Sequence, residues 1–117
     1  MRILYLEDDS GDANLVKRYL QTTPHDLLIA ATVREAWASL TEPIDLILVD
    51  ILLANSRDGY SFAREVRERN ITQPLIAVTA LNMPQEIEAA RDAGFDDVLA
   101  KPFEITELSK IIQRYAN

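Results

Sequence analysis

The sequence contains no cysteine, so disulfides, thiolate nucleophiles and cysteine metal clusters are excluded, a composition that suits a reducing compartment. Glycine and proline are scarce, at three and five of 117 residues, while 48% of the chain is apolar, which sets aside disordered and fibrous classes. Bases are outnumbered. Twelve Lys and Arg against nineteen Asp and Glu leave a formal charge of −7, which opposes broad attraction to a phosphate backbone or an anionic membrane, so no direct nucleic-acid partner and no membrane insertion are expected. Long hydrophobic runs are missing as well. Ile3 to Leu6 is too short for the apolar region of a signal peptide, and no run approaches the roughly 18 residues that span a bilayer. One cytoplasmic domain, residues 1–117, is the expectation.

What the chain does have is a repeated alternation. Apolar runs "ILYL" (3–6), "LLIA" (27–30), "LILV" (46–49), "LIAV" (75–78) and "VLA" (98–100) are each followed by a segment with helical spacing. The runs at 3, 46 and 75 are continuous, as strands are when helices cover both faces of a parallel sheet. The helical segments fall at about 11–21 (stripe Leu15, Val16, Tyr19, Leu20), from Thr32 onward (Val33, Ala36, Trp37, Leu40), at about 59–69 (Phe62, Ala63, Val66), from Pro84 to Gly94 (Ile87, Ala90, Ala93) and at about 104–115 (Leu108, Ile111, Ile112, Tyr115). Thr32 with Glu35 has the spacing of a capping box, and Pro84 with Gly94 frames the fourth helix. The pattern predicts an α/β fold with right-handed crossovers.

Ligand sites in such sheets lie beyond the carboxyl ends of the strands. There the chain places Glu7 and Asp8 after the first strand, Asp50 at the end of the third, Thr79 and Ala80 at the fourth, and Lys101 with Pro102 at the fifth. Taken singly, each has an ordinary explanation: a carboxylate after a strand forms a turn or caps a helix, Asp9 is merely local, its side chain directed away from those of its neighbours where Ser10 can begin the helix, Thr79 is a sheet or capping hydroxyl and Lys101 a surface lysine. Their joint placement points to chemistry. Acids crowded at the end of a buried strand repel one another and lose hydration, a cost that a cation offsets. Glu7, Asp8 and Asp50 offer oxygens suited to Mg²⁺, which retains several waters. Lys101 can pair with Asp50 when the site is empty and with a phosphoryl oxygen when it is filled, Thr79 can donate to another, and Ala80 leaves room beside it. Such a set neutralises charge around a transferring phosphoryl group.

These residues, with "LEDD", "DLILVD", the Asp-Gly pair at 58 and 59, "VTA" (78–80) and "AGFDDVLAKPF" (93–103), make the chain resemble the receiver domain of two-component response regulators over essentially its whole length. The resemblance implies a flavodoxin-like, doubly wound five-stranded parallel sheet of order 2-1-3-4-5 with five helices on both faces. It implies that Asp50 is a reversible phosphoacceptor, that Glu7, Asp8, Asp50 and the backbone carbonyl of Leu52 bind Mg²⁺, that Thr79 is the switch hydroxyl, and that Lys101 precedes a cis proline, Pro102. The implied donor is a phosphohistidine on a sensor histidine kinase or histidine phosphotransfer protein. A downstream protein or a fused output domain would receive the signal through the face of helix four, strand five and helix five, and a homodimer through that face stays open. The domain then catalyses its own phosphorylation and slow dephosphorylation, without separate substrate turnover.

The sequence also departs from the family pattern. In "DILLANSRDG", Ala54 stands where a proline is usual, and Asp58 lies eight residues beyond Asp50 instead of seven, so the rim that meets a partner is altered. Val98 replaces the switch aromatic and has little bulk to relocate. Leu52 and Leu81 stand where polar residues often admit hydrolytic water, which implies a long-lived acyl phosphate. A dehalogenase-type phosphatase would need an acid at Leu52, a topoisomerase-primase type metal fold an Asp-x-Asp pair, and a Walker site a glycine-rich loop. None is present. The surviving alternative is a receiver-like binding module that works without phosphorylation. His25, the single histidine, falls in the turn before the second strand, away from the site.

Overall fold

In the computed structural model, which describes residues 1–53, 58–80 and 83–116, five strands alternate with five helices. The strands are β1 (Arg2–Leu6), β2 (Asp26–Ala30), β3 (Leu46–Asp50), β4 (Leu75–Thr79) and β5 (Asp97–Ala100). The helices are α1 (Ser10–Leu20), α2 (Val33–Ser39), α3 (Asp58–Glu68), α4 (Pro84–Ala93) and α5 (Ile105–Tyr115). All neighbouring strands are parallel, in the order β2-β1-β3-β4-β5, so the doubly wound, flavodoxin-like topology expected from the sequence is the one adopted.

The continuous apolar runs lie where both faces are covered: β1 from Ile3, β3 and β4 are buried throughout. On one side Ile3, Tyr5, Leu48 and Ile76 pack against Val16 and Leu20 of α1 and Leu108 and Ile112 of α5. On the other, Leu4, Leu6, Ile47 and Ala77 meet Ala36, Phe62, Val66 and Ala90. Burial of each Val, Leu, Ile or Phe side chain among these contributes about 1.5–3 kcal/mol. The sheet centre therefore carries the packing, whereas the edge strand β2 leaves Ile29 exposed.

Local signals set the helix ends. The Asp9 carboxylate accepts the Asp12 N–H at 3.0 Å and caps α1 at Ser10, the local role expected of it. Thr32 accepts the Glu35 N–H at 3.1 Å, but Glu35 reaches back to the N–H of Ala31, one residue beyond the usual capping-box donor. Gly94 ends α4 at φ +108°, a conformation that excludes most side chains.

Three helical stripes differ from the expectation. Leu15 is exposed, and Ala13, Val16 and Leu20 form the buried face of α1, because Leu15 sits one position off the row that meets the sheet. In α2 only Ala36 is fully buried. Val33, Trp37 and Leu40 are half-covered at the margin of a short helix, where the Arg69 guanidinium lies 4.0 Å over the Trp37 ring. Ile87 of α4 is exposed, and Ala90 and Ala93 provide the contact instead.

Arg67 ties three segments together. Its guanidinium donates to the carbonyls of Gly94, Ile71 and Gln73 at 2.8–3.0 Å and pairs with Asp96 at 2.9 Å, while Asp96 also accepts the Leu75 N–H. Arg67→Ala is therefore expected to cost about 2 kcal/mol, since partly buried acceptors lose a charged donor. Urea denaturation measures it; a change below about 0.5 kcal/mol would show that water replaces the guanidinium at no cost.

Candidate functional site

The sheet continues to position residues for one step past its strands. The Glu7 N–H donates to the Ala30 carbonyl, the Ile51 N–H to Val78 and the Lys101 N–H to Thr79, at 2.8–3.1 Å. Parallel register sets Leu6 beside Val49, Asp50 beside Val78 and Thr79 beside Ala100. Five residues from four separated positions in the chain, Glu7 with Asp8, Asp50, Thr79 and Lys101, are thereby delivered to one rim.

Carboxylate oxygens of Glu7, Asp8 and Asp50 lie within 4.8 Å of one another. Glu7, Asp50 and Thr79 are buried, at 1%, 6% and 4% exposure, while Asp8 faces solvent. The Lys101 ammonium reaches Glu7 Oε1 at 2.6 Å, Asp12 Oδ2 at 2.9 Å and Asp50 Oδ2 at 3.4 Å. Its pairing with Asp50, expected from the sequence, is thus the longest of three. Asp12 is a partner that the sequence reading missed. The signal was present: Asp12 lies three residues after the cap Asp9, in the first turn of a helix that starts at the rim.

The two oxygens of Glu7 differ. Oε1 accepts from Lys101 and, at 3.0 Å, from the Tyr5 hydroxyl, whereas Oε2 is buried with no hydrogen-bond partner among the described residues. Burial, reinforced by the neighbouring Asp50 carboxylate and only partly opposed by Lys101, pushes Glu7 up to about 8. Burial also pushes the Tyr5 phenol up, with the Glu7 charge adding to it, so Tyr5 remains a donor. For Lys101 burial acts downward, but hydrogen bonds to Glu7 and Asp12 and the charges of Asp50 and Glu7 outweigh it and hold the ammonium above the ordinary lysine value. The ammonium is retained even when Glu7 holds a proton, because Asp12 and Asp50 also face it.

The residues fit a hard divalent cation. All three donors are carboxylates, and an unpartnered buried oxygen, Glu7 Oε2, is where a cation or its bound water relieves a desolvated charge. The Leu52 N–H donates to Asp50 Oδ1 at 3.1 Å, so the carboxylate and the peptide after it are held together. Gly59 explains the Asp-Gly pair: a Cβ there would stand 2.6 Å from the Asp50 carbonyl oxygen.

Ala80 is exposed beside an open groove of about 320 Å³ lined also by Asp12, Leu15, Lys101, Pro102 and Phe103. The Lys101–Pro102 peptide bond is cis. Val98 is half-buried and packs on the core under α4. Nearby, the Tyr60 hydroxyl of α3 donates to Glu86 in the first turn of α4 at 3.1 Å, a link that no sequence motif announced. His25 precedes β2 at the opposite end of the sheet. Ala54, the enlarged loop and Leu81 lie outside the described residues. No helix among the described residues is long and apolar enough to cross a membrane.

Residues 3–113 match the family described as response regulator receiver domain. A 14.6 kDa uncharacterized protein of Leptolyngbya boryana is 31% identical over 117 residues, covering 98% of this chain and 89% of that protein. The transcriptional regulatory protein RprY of Bacteroides fragilis is 32% identical, covering 93% of this chain and 46% of RprY. The chain thus spans about half the length of RprY, and the same is true of its match to PhoP of Escherichia coli, at 51%. The receiver domain of Francisella response regulator 1452 superposes with a TM-score of 0.89 at 28% identity, covering 97% of this chain and 94% of that one. The chemotaxis protein CheY4 of Vibrio cholerae gives 0.89 at 26%, covering 97% of both chains. Sequence and fold agree over nearly the full length, and the chain belongs to the response regulator receiver domain family.

Proposed function

We propose that this domain takes a phosphoryl group from a phosphohistidine donor onto Asp50, with Mg²⁺ held by Glu7, Asp8, Asp50 and the Leu52 carbonyl. The observation that carries the reading is the convergence of two further carboxylates and one ammonium on a single buried aspartate. When bound, Mg²⁺ supplies positive charge to the phosphoryl oxygens and lowers the repulsion among the acids. An ionised Asp50 oxygen attacks phosphorus as the P–N bond breaks. Its electron pair returns to the imidazole, which leaves neutral when its other nitrogen carries a proton. No general base is required. Lys101 and the Thr79 hydroxyl each bind a phosphoryl oxygen of the product.

The signal then leaves through Thr79, the segment after it and the face of α4, β5 and α5. With Val98 in place of an aromatic, the Tyr60–Glu86 hydrogen bond supports a route from α3 to the start of α4. A kinase or phosphotransfer protein upstream, and a downstream protein or linked output domain, are the partners this implies.

The test is phosphorylation by acetyl phosphate, followed by intact-mass spectrometry. Wild type should gain one phosphoryl group with Mg²⁺ and none with chelator, and Asp50→Asn should gain none. An unmodified wild type, or an equally modified Asp50→Asn, would leave the binding-module reading in its place.

A further inference from the structure

We infer that Asp12 is a positioning residue for phosphoryl transfer: it holds the Lys101 ammonium at the rim, on the α1 side, so that Asp50 stays open to attack. The inference rests on the phosphoacceptor reading of Asp50 and deepens it. A lysine ammonium has three N–H donors and no acceptor, and here each donor faces one carboxylate, those of Glu7, Asp12 and Asp50. Two of these, Glu7 and Asp50, belong to the cluster that suits a divalent cation; Asp12 does not. Once a cation draws on Glu7 and Asp50, Asp12 is the partner whose charge remains committed to Lys101.

The placement of Asp12 is itself fixed. Its backbone N–H is bound by the Asp9 cap, which sets the first turn of α1 over the rim, and its side chain is 45% exposed, at the mouth of the groove beside Ala80 and Pro102. Lys101 carries its charge on a flexible four-carbon stem that is 20% exposed. Without Asp12 the closest hold on the ammonium is Glu7 Oε1, which the Tyr5 hydroxyl shares and whose charge a bound cation draws on, and the ammonium has two other places to go. It can turn outward to water, where it no longer meets the phosphoryl group, or close the present 3.4 Å gap to Asp50 and cover the attacking oxygen. Either move loses the arrangement that makes the charge effective, while removal of an acid beside the site reduces repulsion of an anionic donor. Maximal rate and half-saturation are therefore expected to move separately.

The experiment measures phosphorylation rate against acetyl phosphate concentration at saturating Mg²⁺. Asp12→Ala should lower the maximal rate by about tenfold without raising the half-saturating donor concentration. Asp12→Glu, which keeps the charge on a longer arm, should restore the rate to within about threefold of wild type. A long-range charge effect would lower half-saturation and leave the maximal rate alone. A maximal rate for Asp12→Ala within about twofold of wild type, or Asp12→Glu as slow as Asp12→Ala, overturns the inference while Asp50 remains the acceptor. A wild type that takes no phosphoryl group on Asp50 overturns the phosphoacceptor reading and this inference with it.

Discussion

Raising the pH from about 5 to about 9 should destabilise the metal-free protein by a few kcal/mol, and Mg²⁺ should abolish most of that loss. The cause is Glu7. Its carboxyl is buried, faces Asp50, and is pushed from an ordinary value of 4.5 up to about 8. Between those values the folded chain keeps a proton that the unfolded chain releases, so stability falls as pH rises through that window. The contribution is full below the unfolded value and is lost above the folded one. A divalent cation replaces the proton, so its stabilising effect should grow with pH over the same range. Thermal melts at several pH values, with Mg²⁺ or with chelator, read this directly. Glu7→Gln should flatten the pH dependence of the metal-free protein and weaken its response to Mg²⁺. An unchanged slope in Glu7→Gln would assign the effect to another group.

Replacing Gly59 by alanine is expected to lower stability by about 3 kcal/mol, the upper end of the cost of overpacking. Gly59 lies in the first turn of α3, where its N–H donates to the Ile51 carbonyl at 3.2 Å. An added Cβ would stand 2.6 Å from the Asp50 carbonyl oxygen and 2.7 Å from Ile51 Cα. Both are backbone atoms, so no rotamer change relieves the contact; α3 or the end of β3 has to shift. On the proposed phosphoacceptor role of Asp50, its phosphorylation should slow by about tenfold as the carboxylate is displaced. Gly11→Ala is the internal comparison. There the near atom is the Asp9 carboxylate at 3.1 Å, a side chain that can yield, and the gain in helix propensity should leave that variant near wild type in urea denaturation. Equal stability of the two alanine variants would refute the backbone argument.

Much of the fold was legible because local and global preferences coincide. The three continuous apolar runs became the three central strands, and the end signals at Thr32, Pro84 and Gly94 fell where helices start and stop. The errors came where helical spacing leaves the direction of a side chain open. Leu15 and Ile87 look like core residues by type, but each is a step away from the row that touches the sheet. At the rim, sequence position identified Glu7, Asp8, Asp50, Thr79 and Lys101, because the carboxyl ends of parallel strands share an edge. It did not identify Asp12, Tyr5 or Glu86, whose contacts depend on how a helix or a strand face is turned.

The sequence by itself therefore determined the order of elements, the parallel sheet and the identity of the acids and the lysine at its edge, since these follow from periodicity and connectivity. Only the tertiary structure decided which carboxylates the Lys101 ammonium meets, which oxygen of Glu7 is left without a donor among the described residues, and why position 59 must be glycine. Those are matters of a few ångströms across the sheet, set by register and helix rotation, and no pattern along a single chain encodes them directly.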